Sequence, residues 1–178
     1  MQATKMAFLA SLAVLASVAS ADAVEVTKRI QAPGDLTAVW EIAGEFCSIQ
    51  DWHPAVKSCE EMSEGEDSFR ILTLQDGGTI KEKLTDSADE SYSYEIVEGP
   101  LPVKDYKATL SAEPGRSEGF TTVVWTAEFE ANGASEEEAR KTISEIFGDG
   151  LKGIKKKALD LVGGQSTGGG PAGTAPEE

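Results

Sequence analysis

From Trp40 to Cys59 the chain reads Trp-Glu-Ile-Ala-Gly-Glu-Phe-Cys-Ser-Ile-Gln-Asp-Trp-His-Pro-Ala-Val-Lys-Ser-Cys. These twenty residues hold two of the three tryptophans, both cysteines and the single histidine. The segment begins as an amphipathic helix and leaves that pattern at Asp51-Trp52-His53-Pro54. Proline disfavours helical geometry at the residue before it, so the chain turns at His53. Strand character follows from Val56 to Met62. A helix delivered through a corner into a run of strands is the pattern that sets the fold.

Upstream of the corner, Val24, Val26 and Ile30 alternate with Glu25, Thr27 and Arg29, as in a half-buried strand. Ala32-Pro33-Gly34 breaks it. Asp35 then caps a helix whose apolar face is Leu36, Val39, Trp40, Ala43 and Phe46. Downstream, Ser63 to Asp67 reads as a hairpin loop, Phe69 to Leu74 as a strand and Gln75-Asp76-Gly77-Gly78 as the next turn. Ile80, Glu82 and Leu84 share one strand face while Lys81 and Lys83 take the other. That phase puts a carboxylate, Glu82, on the apolar side.

Tyr92, Tyr94 and Ile96 continue the alternation after a turn at Asp86 to Glu90. Gly99-Pro100-Leu101-Pro102 is a stiff connection, expected to leave Leu101 exposed. Tyr106, Ala108, Leu110 and Ala112 form the next inward face, and Val123, Trp125, Ala127 and Phe129 the last one. Ser135 and Glu138 make a capping box for a long final helix. Its stripe is Ala139, Ile143, Phe147, Leu151, Ile154, Ala158 and Leu161, and Gly163-Gly164 is its expected stop. Gly148, Gly150 and Gly153 are poor helix formers. Gly150 falls on the buried stripe, where its missing side chain means either close approach to the sheet or room for a ligand. The fold class is α+β, a curved seven-stranded antiparallel sheet with a long C-terminal helix.

Residues 1–21 have the anatomy of a secretory signal peptide: Lys5, an apolar run from Met6 to Val18, and Ala19-Ser20-Ala21 as cleavage site, with Ala21-Asp22-Ala23 as a second. Residues 22–164 form the domain, and the Gly-, Pro- and Ser-rich residues 165–178 are expected to be disordered. The address is secreted or periplasmic, with no membrane insertion after cleavage. The net charge is −15, and losing Lys5 with the leader makes it −16. Such a surface repels phosphate backbones, which excludes nucleic acid as a natural partner, while a basic protein would be attracted. In an oxidising compartment Cys47 and Cys59 could form a disulfide. Two buried thiols packing as small hydrophobes is the alternative.

One histidine and two cysteines cannot supply a His/Cys metal site, and no metal or cofactor is implied. No nucleophile elbow, phosphate loop or dinucleotide fingerprint is present. The remaining candidates are His53 at the corner and Glu82 on the apolar strand face, with Tyr94 and Tyr106 on inward faces. Such a pair could hold the polar end of a ligand or act as general acid and base. The same residues have a structural reading, in which the corner histidine bonds to backbone and Glu82 pairs with a neighbour.

The order strand, helix, corner, six strands, long helix resembles the helix-grip fold of the START/Bet v 1-like (SRPBCC) superfamily. The residues that carry the resemblance are Val39-Trp40-Glu41-Ile42 with Phe46, Trp52-His53-Pro54, Lys57-Ser58-Cys59, Glu82-Lys83-Leu84, Ser93-Tyr94 and Lys104-Asp105-Tyr106. Within the superfamily the chain is similar to polyketide cyclase/dehydrase-like and MxaD-like exported proteins, and its motifs are similar to those of plant abscisic-acid receptors. The receptor likeness puts His53 at a pocket lysine, Glu82 at a pocket glutamate and Tyr106 at a pocket tyrosine. Gln75 to Gly78 replaces the receptor gate, and Leu101-Pro102-Val103 the latch, so phosphatase regulation is not implied.

The resemblance implies a sheet wrapped around the final helix over an apolar cavity. His53, Glu82, Tyr94, Tyr106, Trp125, Phe147 and Gly150 are the expected ligand-binding residues. The expected function is binding of a small apolar or amphipathic molecule with one polar end. The alternatives are a cyclase or dehydratase using His53 and Glu82, and an accessory protein that docks a basic periplasmic partner.

Overall fold

Strand alternation governs most of the chain, and the computed structural model, which describes residues 23–165, shows where each alternation leads. The expected leader and the tail beyond Gln165 lie outside the described residues. The elements run β1 (Val24–Pro33), α1 (Leu36–Ala43), α2 (Ile49–Trp52), β2 (Val56–Glu64), β3 (Asp67–Leu74), β4 (Thr79–Ala88), β5 (Ser91–Glu98), β6 (Val103–Pro114), β7 (Phe120–Ala131) and α3 (Glu136–Gln165). The strands form one antiparallel seven-stranded sheet in the order β1-β7-β6-β5-β4-β3-β2. Only β1 leaves sequence order, pairing with β7 after the intervening hairpins have been laid down.

The inward faces are those the alternation selects. Ile80 and Glu82 on β4, Tyr92 and Tyr94 on β5, Tyr106 to Ala112 on β6 and Val123 to Phe129 on β7 are buried at alternate positions. Together they form a trough, and α3 lies in it through Ala139, Ile143, Phe147, Leu151, Ile154 and Ala158. The capping box closes the start of α3: the Glu138 carboxylate accepts from the Ser135 amide at 3.0 Å and from its hydroxyl at 2.8 Å. This is the helix-grip arrangement.

Five local expectations are corrected. The first helix does not reach Phe46; Gly44 ends it, its amide donating to the Trp40 carbonyl. A Cβ at Gly44 would sit 2.6 Å from the Trp40 indole nitrogen, so only glycine lets the chain leave the helix there. Leu161 is 50% exposed, because every residue from Leu159 to Gly164 is exposed and the helix has passed the surfaces that bury it. Gly163-Gly164 does not stop α3, which runs to Gln165; glycine weakens a helix without forbidding one. Leu101 is only partly exposed, turning inward onto the core from between its two prolines. The Ser63 to Asp67 loop tightens to a Gly65-Glu66 turn, with Gly65 at φ 66°.

Candidate functional site

The corner is built by a short helix, a proline and a disulfide. His53 follows α2 with extended geometry, φ −93° and ψ 117°, as Pro54 requires. Cys47 and Cys59 are bonded, tying the start of α2 to β2 across a separation of twelve residues. Gln50 adds a bond from the Cys59 amide to its side-chain oxygen at 3.0 Å. The corner is thereby fixed on both sides before it meets α3.

Against α3 the corner packs through glycines. A Cβ at Gly153 would lie 1.8 Å from the Trp52 carbonyl oxygen. One at Gly150 would lie 2.7 Å from both His53 Cδ2 and Trp125 Cζ3. Of the two readings of Gly150, close approach is the one realised: the rings of His53, Trp52 and Trp125 occupy the space. Trp125 in turn stacks on Phe147 with centroids 4.2 Å apart and planes 9° from parallel. Trp52, at 4% exposure, belongs to the core.

His53 is 5% exposed and both its ring nitrogens are engaged. Nε2 lies 3.1 Å from the Ile146 carbonyl oxygen, and Nδ1 accepts from the Ala55 amide at 3.2 Å. A carbonyl can only accept, so Nε2 carries the proton and the ring is neutral. Burial lowers its pKa below the ordinary histidine value, opposed by the Ile146 hydrogen bond and by Asp149.

Glu82 does not face His53 as a partner. It pairs with Arg70, which sits opposite it in the β3–β4 register. Arg70 Nε is 2.5 Å from Glu82 Oε2, and the guanidinium is wholly buried. Its Nη1 donates to the Phe46 carbonyl, a group freed from helical bonding because α1 ends at Gly44. Its Cζ lies 4.1 Å from the Phe46 ring centroid, 5.0 Å from that of Tyr94 and 5.8 Å from that of Tyr92. Arg70 Nη2 and the Tyr92 hydroxyl are buried without a hydrogen-bond partner. Burial pushes the Glu82 carboxyl above the ordinary carboxylate range while Arg70 pulls it back. A buried guanidinium keeps its charge, and only an ionised Glu82 balances it.

Arg70 is the residue that sequence reasoning missed. In β3 both faces carry apolar side chains, Phe69 and Ile71 on one and Leu72 and Leu74 on the other, so alternation alone does not fix the phase. The available signal was Glu82 itself: a buried carboxylate calls for a cation on a neighbouring strand.

Behind these groups lies a cavity of about 80 Å³. Its walls include His53, Glu82, Tyr94, Tyr106, Trp125 and Phe147, six of the seven expected site residues. The seventh, Gly150, lies behind the rings rather than on the cavity. Ile49, Leu72, Leu74, Ile80, Ile96, Leu101, Ile143 and Ile146 make the rest largely aliphatic. The Trp125 indole donates to the Tyr94 hydroxyl at 3.0 Å. Tyr106 stands beside Tyr94 with ring centroids 6.2 Å apart, and burial holds both phenols protonated, above the ordinary tyrosine value. No cluster of potential metal ligands occurs among the described residues.

A family model described as polyketide cyclase / dehydrase and lipid transport matches residues 23–159. The protein XoxI from Bacillus cereus has a similar structure, with a TM-score of 0.73 and 32% sequence identity over 78% of this chain and 97% of that one. A putative uncharacterized protein from Bacillus thuringiensis is similar to the same degree, with a TM-score of 0.73 and 32% identity over 77% of this chain and all of that one. The Zhui aromatase/cyclase from a Streptomyces species has a TM-score of 0.65 over 83% of this chain and 99% of its own, but at 17% identity the likeness shows the fold alone. The sequence matches no curated protein.

Proposed function

The chain belongs to the polyketide cyclase / dehydrase and lipid transport family, and from that premise we propose that it binds a small, mostly apolar molecule with one polar end in the cavity between sheet and α3. The observation that carries this reading is the cavity itself. It is lined mainly by aliphatic and aromatic side chains, and polar side-chain groups are confined to His53, Glu82, the two tyrosines and the Trp125 indole. That distribution is typical of small-molecule sites. Its volume of about 80 Å³ is well below the roughly 300 Å³ or more of drug-sized sites, so the occupant is small or enters as the walls move.

Acid/base catalysis by His53 and Glu82 is not favoured by the geometry. Each ring nitrogen of His53 already serves a backbone group, and the Arg70 cation holds the Glu82 carboxylate ionised, which makes it a weak base and no acid. A buffered base needs a free lone pair within reach of substrate. Binding therefore stands ahead of turnover. Export of the protein completes the proposal, supported by the N-terminal residue pattern and by the Cys47–Cys59 bond, which suits an oxidising compartment.

The test is a titration of the protein with a library of small aromatic and aliphatic compounds, followed by the fluorescence of its tryptophans, of which Trp125 lines the cavity. Saturable binding that is weakened by filling the cavity, as in Ala55→Leu or Val56→Phe, is the expected result. Absence of saturable binding across the library overturns the proposal.

The accessory reading keeps one specific support. A surface cleft is bordered by Glu41, Glu45, Glu61, Asp89 and Glu90, and none of these takes part in an ion pair among the described residues. Binding of a basic protein there would weaken steeply with salt. Salt-insensitive binding contradicts it.

A further inference from the structure

The polar atoms that border the cavity are not equally available to a guest. His53 gives Nε2–H to Ile146 and receives the Ala55 amide at Nδ1. The Trp125 indole is held by Tyr94. Arg70 gives Nε to Glu82 and Nη1 to Phe46, and its guanidinium is covered by the rings of Phe46, Tyr92 and Tyr94. No cationic side chain lines the cavity. What remains is the Glu82 carboxylate, which uses Oε2 for Arg70 and retains 6% side-chain exposure, together with the proton of the Tyr106 hydroxyl, whose oxygen is engaged by Tyr94.

This leftover set has a sign. A ligand carboxylate would be buried next to Glu82 with no free cation to meet it, and an uncompensated buried charge is costly. An ammonium group would place a second buried cation near Arg70. A neutral group that donates a hydrogen bond satisfies Glu82 without adding charge, and it can accept from Tyr106 if it also carries a lone pair. Size narrows the choice further. At about 80 Å³ the cavity is under a third of the roughly 300 Å³ of a drug-sized site, which limits the guest to about one small ring.

We propose that the cavity selects a neutral, single-ring molecule whose hydroxyl or amide donates a hydrogen bond to Glu82, and that it rejects carboxylates. The proposal rests on the cavity being a ligand site. It makes the Arg70–Glu82 pair a specificity device: Arg70 keeps Glu82 ionised, and Glu82 keeps the cation from attracting anions.

Four probes form two shape-matched pairs. Phenol and toluene differ in the hydroxyl; benzamide and benzoate differ in charge. Dissociation constants are measured at neutral pH by ligand-observed magnetic resonance on the full chain. Phenol should bind about fivefold tighter than toluene, the value of roughly one added hydrogen bond, and benzamide at least about tenfold tighter than benzoate. Glu82→Gln should move the benzamide-to-benzoate ratio towards benzoate, because Arg70 is then unopposed. Should that variant fail to fold, Tyr106→Phe provides the second arm, narrowing the phenol-to-toluene gap while leaving toluene unchanged. Benzoate binding as tightly as benzamide to the unaltered protein overturns the selectivity and leaves the ligand site standing. No binding by any of the four removes the ligand site, and the selectivity with it.

Discussion

Two polar regions meet at the cavity, and they differ in what they leave over. At the corner, His53 is the only histidine of the chain, yet backbone groups occupy both its nitrogens. On the β3–β4 wall, Glu82 is one of many acidic residues, yet it is buried beside a wholly buried arginine and borders the cavity. Rarity in the sequence drew attention to the first, and residual hydrogen-bonding capacity points to the second. The corner positions α3, and the wall borders the cavity. A side chain's scarcity says little about function until its hydrogen bonds have been accounted for.

The largest expected effect comes from breaking the wall. Arg70→Met removes the cation and strands Glu82 as a buried unpaired carboxylate, so stability should fall by about 3–5 kcal/mol. Adding Glu82→Leu should recover most of that loss, because the pair is then replaced by apolar contacts of similar volume. Urea unfolding of the single and double variants measures both. A double variant no more stable than the single one would mean that the wall is held by something other than this charge balance.

Breaking the corner should cost somewhat less. Replacing Cys47 and Cys59 by serine frees a loop with a separation of twelve residues, and about 3 kcal/mol should be lost by the chain-entropy account. Gly150→Ala is smaller again. Its Cβ would press on His53 and Trp125 at 2.7 Å, an overpacking cost of about 1–3 kcal/mol that the better helix propensity of alanine offsets by about 1. Thermal unfolding should rank the cysteine pair above Gly150→Ala. Gain of stability in the alanine variant would restore the reading in which Gly150 leaves open space.

The smallest effect sharpens the role of His53. Its folded pKa lies below its ordinary value of 6.5, so the unfolded chain takes up the proton first. The neutral ring's contribution is therefore complete above that pH and is lost as pH falls from it through the lower folded value. His53→Gln should flatten the stability profile in this window relative to the unaltered protein. Identical slopes in the two proteins would show that the ring is not held neutral.

Much of the fold was legible because strand phase is a strong signal when one face is apolar. Ile80, Glu82 and Leu84 placed Glu82 inside, and Tyr106 to Ala112 placed Tyr106 on the trough, both as found. The capping box at Ser135 set the start of α3. Other features depended on contacts between distant segments. Arg70 was hidden because β3 is apolar on both faces. Leu101 sits between prolines and reads as loop, but it reaches the core because the β5–β6 connection folds back over the cavity. Gly150 carried two readings until the rings of His53 and Trp125 were placed against it. The Cys47–Cys59 disulfide was favoured by the oxidising address over two buried thiols, and it is formed.

The contrast between corner and wall is tested most directly by a crystal structure of the protein with phenol bound. The account predicts the phenol hydroxyl within about 3.2 Å of the Glu82 carboxylate, with His53 still bonded to the Ile146 carbonyl. A hydroxyl bonded instead to a His53 nitrogen, with the Ile146 contact broken, would contradict it.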